Sequence, residues 1–339
     1  MIKRLKNISL SLFVFLKIYK IFNYLNRNKA LVLMYHGFTA KAKYDAFENI
    51  ENIHLDIAKF EKQIKFLTSN FNVISLNTLV ECFEQKKAFP SKSVVITVDD
   101  GYESNYKLAF EILKRYNCPA IIFLTTNFVN DSKILWTDRL AVLIKKLQVE
   151  EFEFSHNGQS LKVKLNDQRD KLDLYKKFKK ILKNIDQVQR DDIIEQIIKK
   201  YAIKIEPNDY SEMNLPLNWD QIREMNKSSI IEFGGHTCSH YIIGKLSADI
   251  AREEVIQSTK IIEEKTGKKC LHFCYPNGQP GDFNKVTKNI LIDSGYKCGL
   301  TTIQNYVTEK SDVYELERIY VSNKDSINQF VMSLSGMRF

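Results

Sequence analysis

The stretch "VVITVDDGYESN", residues 94–105, decides the reading of this chain. Val94, Val95, Ile96, Thr97 and Val98 form a β-branched run of the kind buried on both faces in a parallel sheet. The run ends in Asp99, Asp100 and Gly101. In parallel α/β folds, chemistry collects at the C-terminal ends of strands. Neighbouring strand residues point in opposite directions, so the two carboxylates need not share one task. Gly101 lets the chain turn sharply after them. A helix-capping role accounts for one aspartate and leaves the other facing the same pocket.

Working outward, strands and helices alternate. "LVLMYHGF" gives a strand over 31–36, "PAIIFLTT" one from 119, and "SSIIEFGGH" one within 228–236. "LHFCYP" and "KCGLTT" give strands over 271–276 and 297–302, with helices expected near 248–266 and 284–293 between and before them. Such alternation means a parallel sheet with crossover helices, and seven or eight strands suit a barrel. Residues 127–227 break the rhythm with charged helical segments around a hairpin, "FEFSHNGQSLKVKL", that turns at Asn157-Gly158. This is an insertion between two barrel strands. Leaving from a strand end, it is expected to cap the active-site face; an ordinary structural subdomain is the alternative. The expected domains are an arm over 1–29, a barrel over 30–126 and 228–339, and the insertion.

The chain has 339 residues and a formal charge of +9. Residues 1–29 carry seven Lys and Arg and no Asp or Glu, whereas the rest has 43 basic and 41 acidic residues. The charge therefore belongs to an N-terminal arm and does not mark a nucleic-acid face. The arm begins like a signal peptide but lacks a small-residue cleavage site, and Lys17 and Lys20 interrupt its apolar run. Leu12, Phe15, Leu16, Tyr19 and Phe22 recur at helical spacing with lysines between them, the pattern of an amphipathic helix in a membrane interface. Packing on the protein's own core is the alternative. The six cysteines show no CxxC spacing and are expected to be reduced and mostly buried, which favours the cytosol. Together these place the protein in the cytoplasm, peripheral on the inner face of the membrane, with export through an uncleaved signal anchor as the alternative.

The second chemical feature is "FGGHTCSHYIIG". His236 and His240 are four apart and follow a strand and two glycines, where backbone can approach a ligand. Two histidines and one aspartate make three ligands and leave a position for water, as a catalytic metal site requires.

The chain here resembles the polysaccharide deacetylase family, also called the NodB-homology or carbohydrate esterase 4 family. T-V-D-D-G, Thr97 to Gly101, is similar to the family's first motif, and H-T-C-S-H, His236 to His240, to its second. "CYPNG", Cys274 to Gly278, "DSGYKCGLTT" and "LERIYV" are weaker echoes of its later motifs. The resemblance implies a distorted (β/α)7 barrel and a metal-dependent deacetylase of an acetylated glycan. It implies Asp99 as general base and a divalent metal, most often zinc, on Asp100, His236 and His240. It also implies an oxyanion donor from the backbone N–H of Asn277.

Two departures stand out. Cys274 occupies the place of the family's base-orienting arginine, and Arg318 in the last segment is the candidate substitute. The family's general-acid histidine is missing from "LERIYV". His36, at the end of the first strand, is the candidate acid, with a structural role as the alternative. The leading expectation is a deacetylase of an N-acetylated sugar, on a polysaccharide or on a lipid-linked glycan at the membrane. The alternatives are a non-catalytic glycan-binding protein on a degenerate barrel and a metal-dependent amidase of a small non-sugar substrate.

Overall fold

The computed structural model describes residue 10 and residues 13–131 and 134–336. Seven strands form the main sheet: β1 Leu31–Tyr35, β2 Ser93–Val98, β3 Ala120–Leu124, β4 Ile231–Gly235, β5 His272–Cys274, β6 Cys298–Leu300 and β7 Ile319–Tyr320. All pairings are parallel, in the order β6-β5-β4-β3-β2-β1-β7, and the short strand Asn72–Val73 adds to the start of β2. The curled sheet meets itself through the stretch before β7. Leu316 donates its N–H to Gly299 and accepts from Thr301, while Ile319 and Tyr320 pair with Leu33 and Met34. The result is the expected distorted (β/α) barrel.

Alternation along the strands sorts side chains between two apolar layers. Val32, Val95, Ile121, Phe123, Cys274, Cys298, Leu300 and Leu316 pack together inside the barrel. Leu33, Ile96, Val98, Ile122 and Phe233 face the helices, whose buried residues include Phe60, Ile64, Leu67, Ile222, Val255 and Ile262. Helix Ile57–Asn70 is amphipathic and is capped by Asp56, which accepts from the Lys59 N–H. The helix after the paired aspartates opens with wide π-type turns over Asn105–Phe110 before Glu111–Arg115.

Two compact units emerge, and their limits differ from those expected. Among the described residues the barrel unit comprises 10, 13–41, 52–131 and 216–336, and the second comprises 42–51 and 134–215. Helices Thr126–Asp131 and Trp219–Lys227, assigned to the insertion by sequence, belong to the barrel, because Ile222 and Met225 lie in its core and Thr126 and Asn127 donate to the backbone of Thr237 and Cys238. Residues 42–51 join the second unit because Phe47 is buried with Trp136, Leu140 and Phe178 there. That unit has its own core of helices Trp136–Lys146, Gln168–Leu182 and Gln187–Lys200 and the hairpin Glu151–His156/Gln159–Lys164. The hairpin turns at Asn157 and Gly158, both at positive φ, as the Asn-Gly pair requires. Trp136 sits in this core beneath the Arg190 guanidinium and is a packing residue.

The arm lies partly outside the described residues. Its described portion is not one continuous helix: Lys17 has φ 57, and the helix Tyr19–Leu25 follows the break. Among the described residues no helix is long and apolar enough to cross a membrane. All six cysteines are free thiols, five of them buried, as their spacing suggests.

Candidate active site

The end of β2 positions the two aspartates differently. Val95, Thr97 and Asp99 share a parity, and Val95 faces the barrel interior. Asp99 continues inward, and its N–H donates to Tyr35 on β1 at 2.9 Å. At Asp100 the backbone turns over with φ 77, followed by Gly101 at φ 92. A non-glycine residue in the left-handed region is strained, and such strain gathers at functional sites. Thr237, His240 and Asn277, also non-glycine, have φ 65, 55 and 62 around the same mouth.

Arg318, fully buried, enters from the segment that closes the barrel. Its Nη1 donates to Asp99 Oδ1 at 2.8 Å and its Nη2 to Asp99 Oδ2 at 2.8 Å. Nη1 also donates to Thr97 Oγ1 at 3.0 Å, Nη2 to Cys274 Sγ at 3.0 Å, and Nε to the Thr301 carbonyl at 2.7 Å. All five guanidinium N–H groups thus have acceptors, which is what burying this cation requires. The Cys274 thiol in turn donates to Asp99 Oδ2 at 3.5 Å, and burial raises its pKa so that it stays protonated. Burial alone would push the Asp99 carboxyl upward, but the Arg318 charge and hydrogen bonds hold it below its ordinary value.

Asp100, His236 and His240 converge beside this pair. Asp100 Oδ1 lies 3.4 Å from His236 Nε2 and 3.3 Å from His240 Nε2, and the three ligand atoms fall within 4.8 Å of one another. Asp100 Oδ1 is buried and has no partner at hydrogen-bonding geometry. Charge-assisted hydrogen bonds are shorter, about 2.7–2.9 Å. Donors bound at roughly 2.0–2.2 Å to one tetrahedral cation stand about 3.4 Å apart, so the set fits a divalent metal. His236 Nδ1 lies 2.7 Å from the Cys274 carbonyl, and donation there leaves Nε2 bare toward Asp100.

The HTCSH segment is not the helical turn that four-residue spacing suggests. It is a loop bent by positive φ at Thr237 and His240, which brings the two rings to 4.9 Å. Glu254, from helix Ala248–Thr266, braces it by accepting from the Cys238 and Ser239 N–H groups at 2.9 and 2.8 Å. Asn127 adds a bond to Ser239 Oγ at 3.0 Å. Neither brace was legible in the sequence, because both meet the loop only through chain folding. Gly234 and Gly235 serve packing here: a Cβ would come within 2.5 Å of the Phe123 ring and 2.3 Å of the Tyr296 hydroxyl, respectively.

His36 follows β1, faces the Tyr320 ring at 6.5 Å and has a buried Nδ1 without a hydrogen-bond partner. Tyr35 pairs with Val98, so His36 leaves β1 beside Asp99 at the same mouth. Asn277 lies in the loop after β5, which is held when the Thr302 hydroxyl donates to the Asn277 carbonyl. His54 lies in strand His54–Asp56, buried against the Tyr102 ring at 4.8 Å and driven by burial to a pKa of about 3. Tyr275 is a core residue, stacked on Phe283 at 4.7 Å.

A family model described as polysaccharide deacetylase matches residues 86–299, more than half of the chain. This chain belongs to the polysaccharide deacetylase family. The matched region includes both aspartates, both histidines and Cys274, and leaves His36 and Arg318 outside. A poly-beta-1,6-N-acetyl-D-glucosamine N-deacetylase of Staphylococcus epidermidis is 30% identical over 135 residues, covering 38% of this chain and 45% of that protein. The enzyme of the same name from Staphylococcus aureus strain MSSA476 is 29% identical over 184 residues, covering 48% of this chain and 63% of that protein. The matches thus span less than two-thirds of these relatives' lengths. Among solved structures, the Streptococcus pyogenes deacetylase PplD in complex with acetate superposes with TM-score 0.60 at 16% identity over 91% of this chain and 99% of that one. IcaB from Ammonifex degensii superposes with TM-score 0.57 at 17% identity over 91% and 97%. At these identities the superpositions establish the shared barrel fold.

Proposed function

We propose that the protein is a metal-dependent hydrolase that removes acetyl groups from the nitrogen of N-acetylated sugars in a polysaccharide chain. The observation that carries this is the Arg318-clamped carboxylate of Asp99 set beside the three convergent donors Asp100, His236 and His240. The named activity of the Staphylococcus relatives supports a glucosamine polymer as substrate.

Asp100, His236 and His240 would hold the cation. When bound there, a divalent cation lowers the pKa of water and polarises an acyl oxygen. Asp99 takes the proton of the attacking water. Its Oδ2 accepts from both Arg318 and Cys274, whereas Oδ1 accepts only from Arg318, so Oδ1 keeps a lone pair for that proton. The depressed pKa keeps Asp99 ionised across the working pH range. The Asn277 N–H offers a donor to the oxygen that becomes negative as the acyl carbon turns tetrahedral. His36 then protonates the departing amine, which leaves poorly as an anion. Acetate and a free amino sugar result.

The degenerate, binding-only reading rested on a missing arginine and a missing histidine. Arg318, from the segment just before β7, donates to Asp99 in place of that arginine, which weakens the binding-only reading. The test is acetate release from β-1,6-linked N-acetylglucosamine oligomers by protein stripped with chelator and reloaded with zinc or cobalt. Release restored by metal is expected. Oligomer binding without acetate release by the loaded protein would overturn the proposal in favour of a binding module.

A further inference from the structure

Among the described residues the barrel unit carries one concentration of exposed apolar side chains, and the reaction above does not use it. Phe15, Leu16, Ile21, Tyr24 and Leu25 are 80%, 56%, 60%, 58% and 66% exposed, within eleven residues. Other large exposed apolar residues are scattered along separate helices and loops. Scattered exposure is ordinary, whereas a contiguous patch marks an interaction surface. Ile21, Tyr24 and Leu25 share one face of helix Tyr19–Leu25. The opposite face is already occupied: Tyr19 packs on Phe66 at 5.7 Å, and Asn23 is buried. The arm is therefore seated on the barrel and still presents a second apolar face outward.

Cations flank that face along the chain. Lys17, Lys20 and Lys29 are exposed, and Arg27 stacks over the Tyr24 ring at 4.1 Å. No acidic residue occurs in the sequence before Asp45. A second copy docked on this face would bring like charges together. An anionic bilayer fits both parts of the face: apolar rings and branched chains enter the acyl boundary, and lysines reach the headgroups.

The position of the arm on the barrel fixes an orientation. The Arg27 carbonyl accepts from the Lys92 N–H at 2.7 Å, just before β2 begins, and the arm runs directly into the start of β1. Asp99 lies just past the other end of β2, six residues and about 20 Å away. We propose that residues 13–29 dock the protein on an anionic lipid surface with the Asp99 mouth turned away from it. The enzyme then works on a glycan strand arriving from the aqueous side, not on a sugar held by a lipid of the same leaflet. Only this last clause rests on the deacetylase reading.

The test uses the full chain and vesicles of phosphatidylcholine alone or with about one-third phosphatidylglycerol. Co-sedimentation is expected with the anionic vesicles, falling at least about tenfold in high salt and in Leu16→Ser/Ile21→Ser/Leu25→Ser protein of unchanged circular dichroism. Equal binding to both vesicle types, no binding, or no effect of the triple substitution would overturn docking. So would a lipid-free dimer that the same substitutions dissolve, which would assign the face to a second copy. Orientation is read in a Trp136→Phe background, where Trp219 reports from the mouth end, since neighbouring Leu217 donates to the Gly101 carbonyl. Spin-labelled lipid should leave Trp219 emission unchanged and quench the emission added by Tyr24→Trp. Quenching of Trp219 would overturn the orientation. None of these readouts needs acetate release, so failure of the deacetylase reading would be seen separately.

Discussion

Arg318 and Asp99 form a two-point ion pair inside the barrel, Nη1 to Oδ1 and Nη2 to Oδ2, each at 2.8 Å, with both side chains buried. Planar fork-to-carboxylate pairing fixes direction as well as charge, which a lysine cannot reproduce. Arg318→Gln should leave Asp99 buried without its counter-charge and cost about 3–5 kcal/mol of stability. In protein that remains folded, kcat should fall by about 10²-fold with KM little changed, because the base is misplaced. Arg318 lowers the Asp99 pKa, so its removal raises it, and the acid limb of kcat/KM should move to higher pH. An unmoved acid limb would count against the pairing as the tuning device.

Cys274 stands where the motif expects the arginine, and the two groups meet at 3.0 Å. Cys274→Arg alone should place two guanidinium groups on one carboxylate in a packed interior. Overpacking costs about 1–3 kcal/mol, and like-charge repulsion adds to it. Combining it with Arg318→Leu leaves a single guanidinium, so the double variant should be more stable and more active than Cys274→Arg alone. Additive losses, measured by thermal unfolding and acetate release, would mean that the two positions do not exchange roles.

His36 is assigned to the leaving amine, and the assignment predicts a dependence on leaving group. His36→Gln should lose about 10²-fold or more on an N-acetyl sugar. It should lose far less on an aryl acetate, whose phenolate departs unprotonated. Equal losses on both substrates would reduce His36 to a structural residue.

At the opposite end of the barrel, burial pushes His272 down to a pKa of about 4, with Cys298 Sγ at 3.3 Å and Glu232 Oε2 at 3.8 Å from its ring nitrogens. The unfolded chain titrates this group near about 6.5. Between those values the unfolded state binds the extra proton, so stability is complete above about pH 6.5 and declines as pH falls toward 4. The loss attributable to His272 is about 3 kcal/mol. Denaturant unfolding across that range should flatten by a similar amount in His272→Gln.

Much of this was legible in sequence because local rules determine it. The β-branched run of β2, the amphipathic spacing of Ile57–Asn70 and the Asn157-Gly158 turn each state their structure within a few residues. The Asp-Asp and His-x-x-x-His segments lie at strand ends, where a parallel sheet exposes chemistry. What stayed hidden depends on long-range folding. Glu254 reaches the histidine loop from a helix and Asn127 joins it at Ser239, whereas Arg318, named as a candidate from its segment, meets Asp99 only because the barrel seam closes there. The insertion limits were misplaced because helix Trp219–Lys227 is charged on its outer face, although its inner face, Ile222 and Met225, packs in the barrel. The two glycines before His236 read as room for a ligand, and their neighbours Phe123 and Tyr296 could be found only in three dimensions.

The most direct measurement compares acetate release from an N-acetylglucosamine oligomer by wild type and Asp99→Asn, each with its metal content determined on the same sample. The account predicts about one divalent ion per chain in both, with release lowered by about 10²–10⁴-fold in Asp99→Asn. Metal-loaded wild type that releases no acetate, or an Asp99→Asn protein that matches it, would contradict the account.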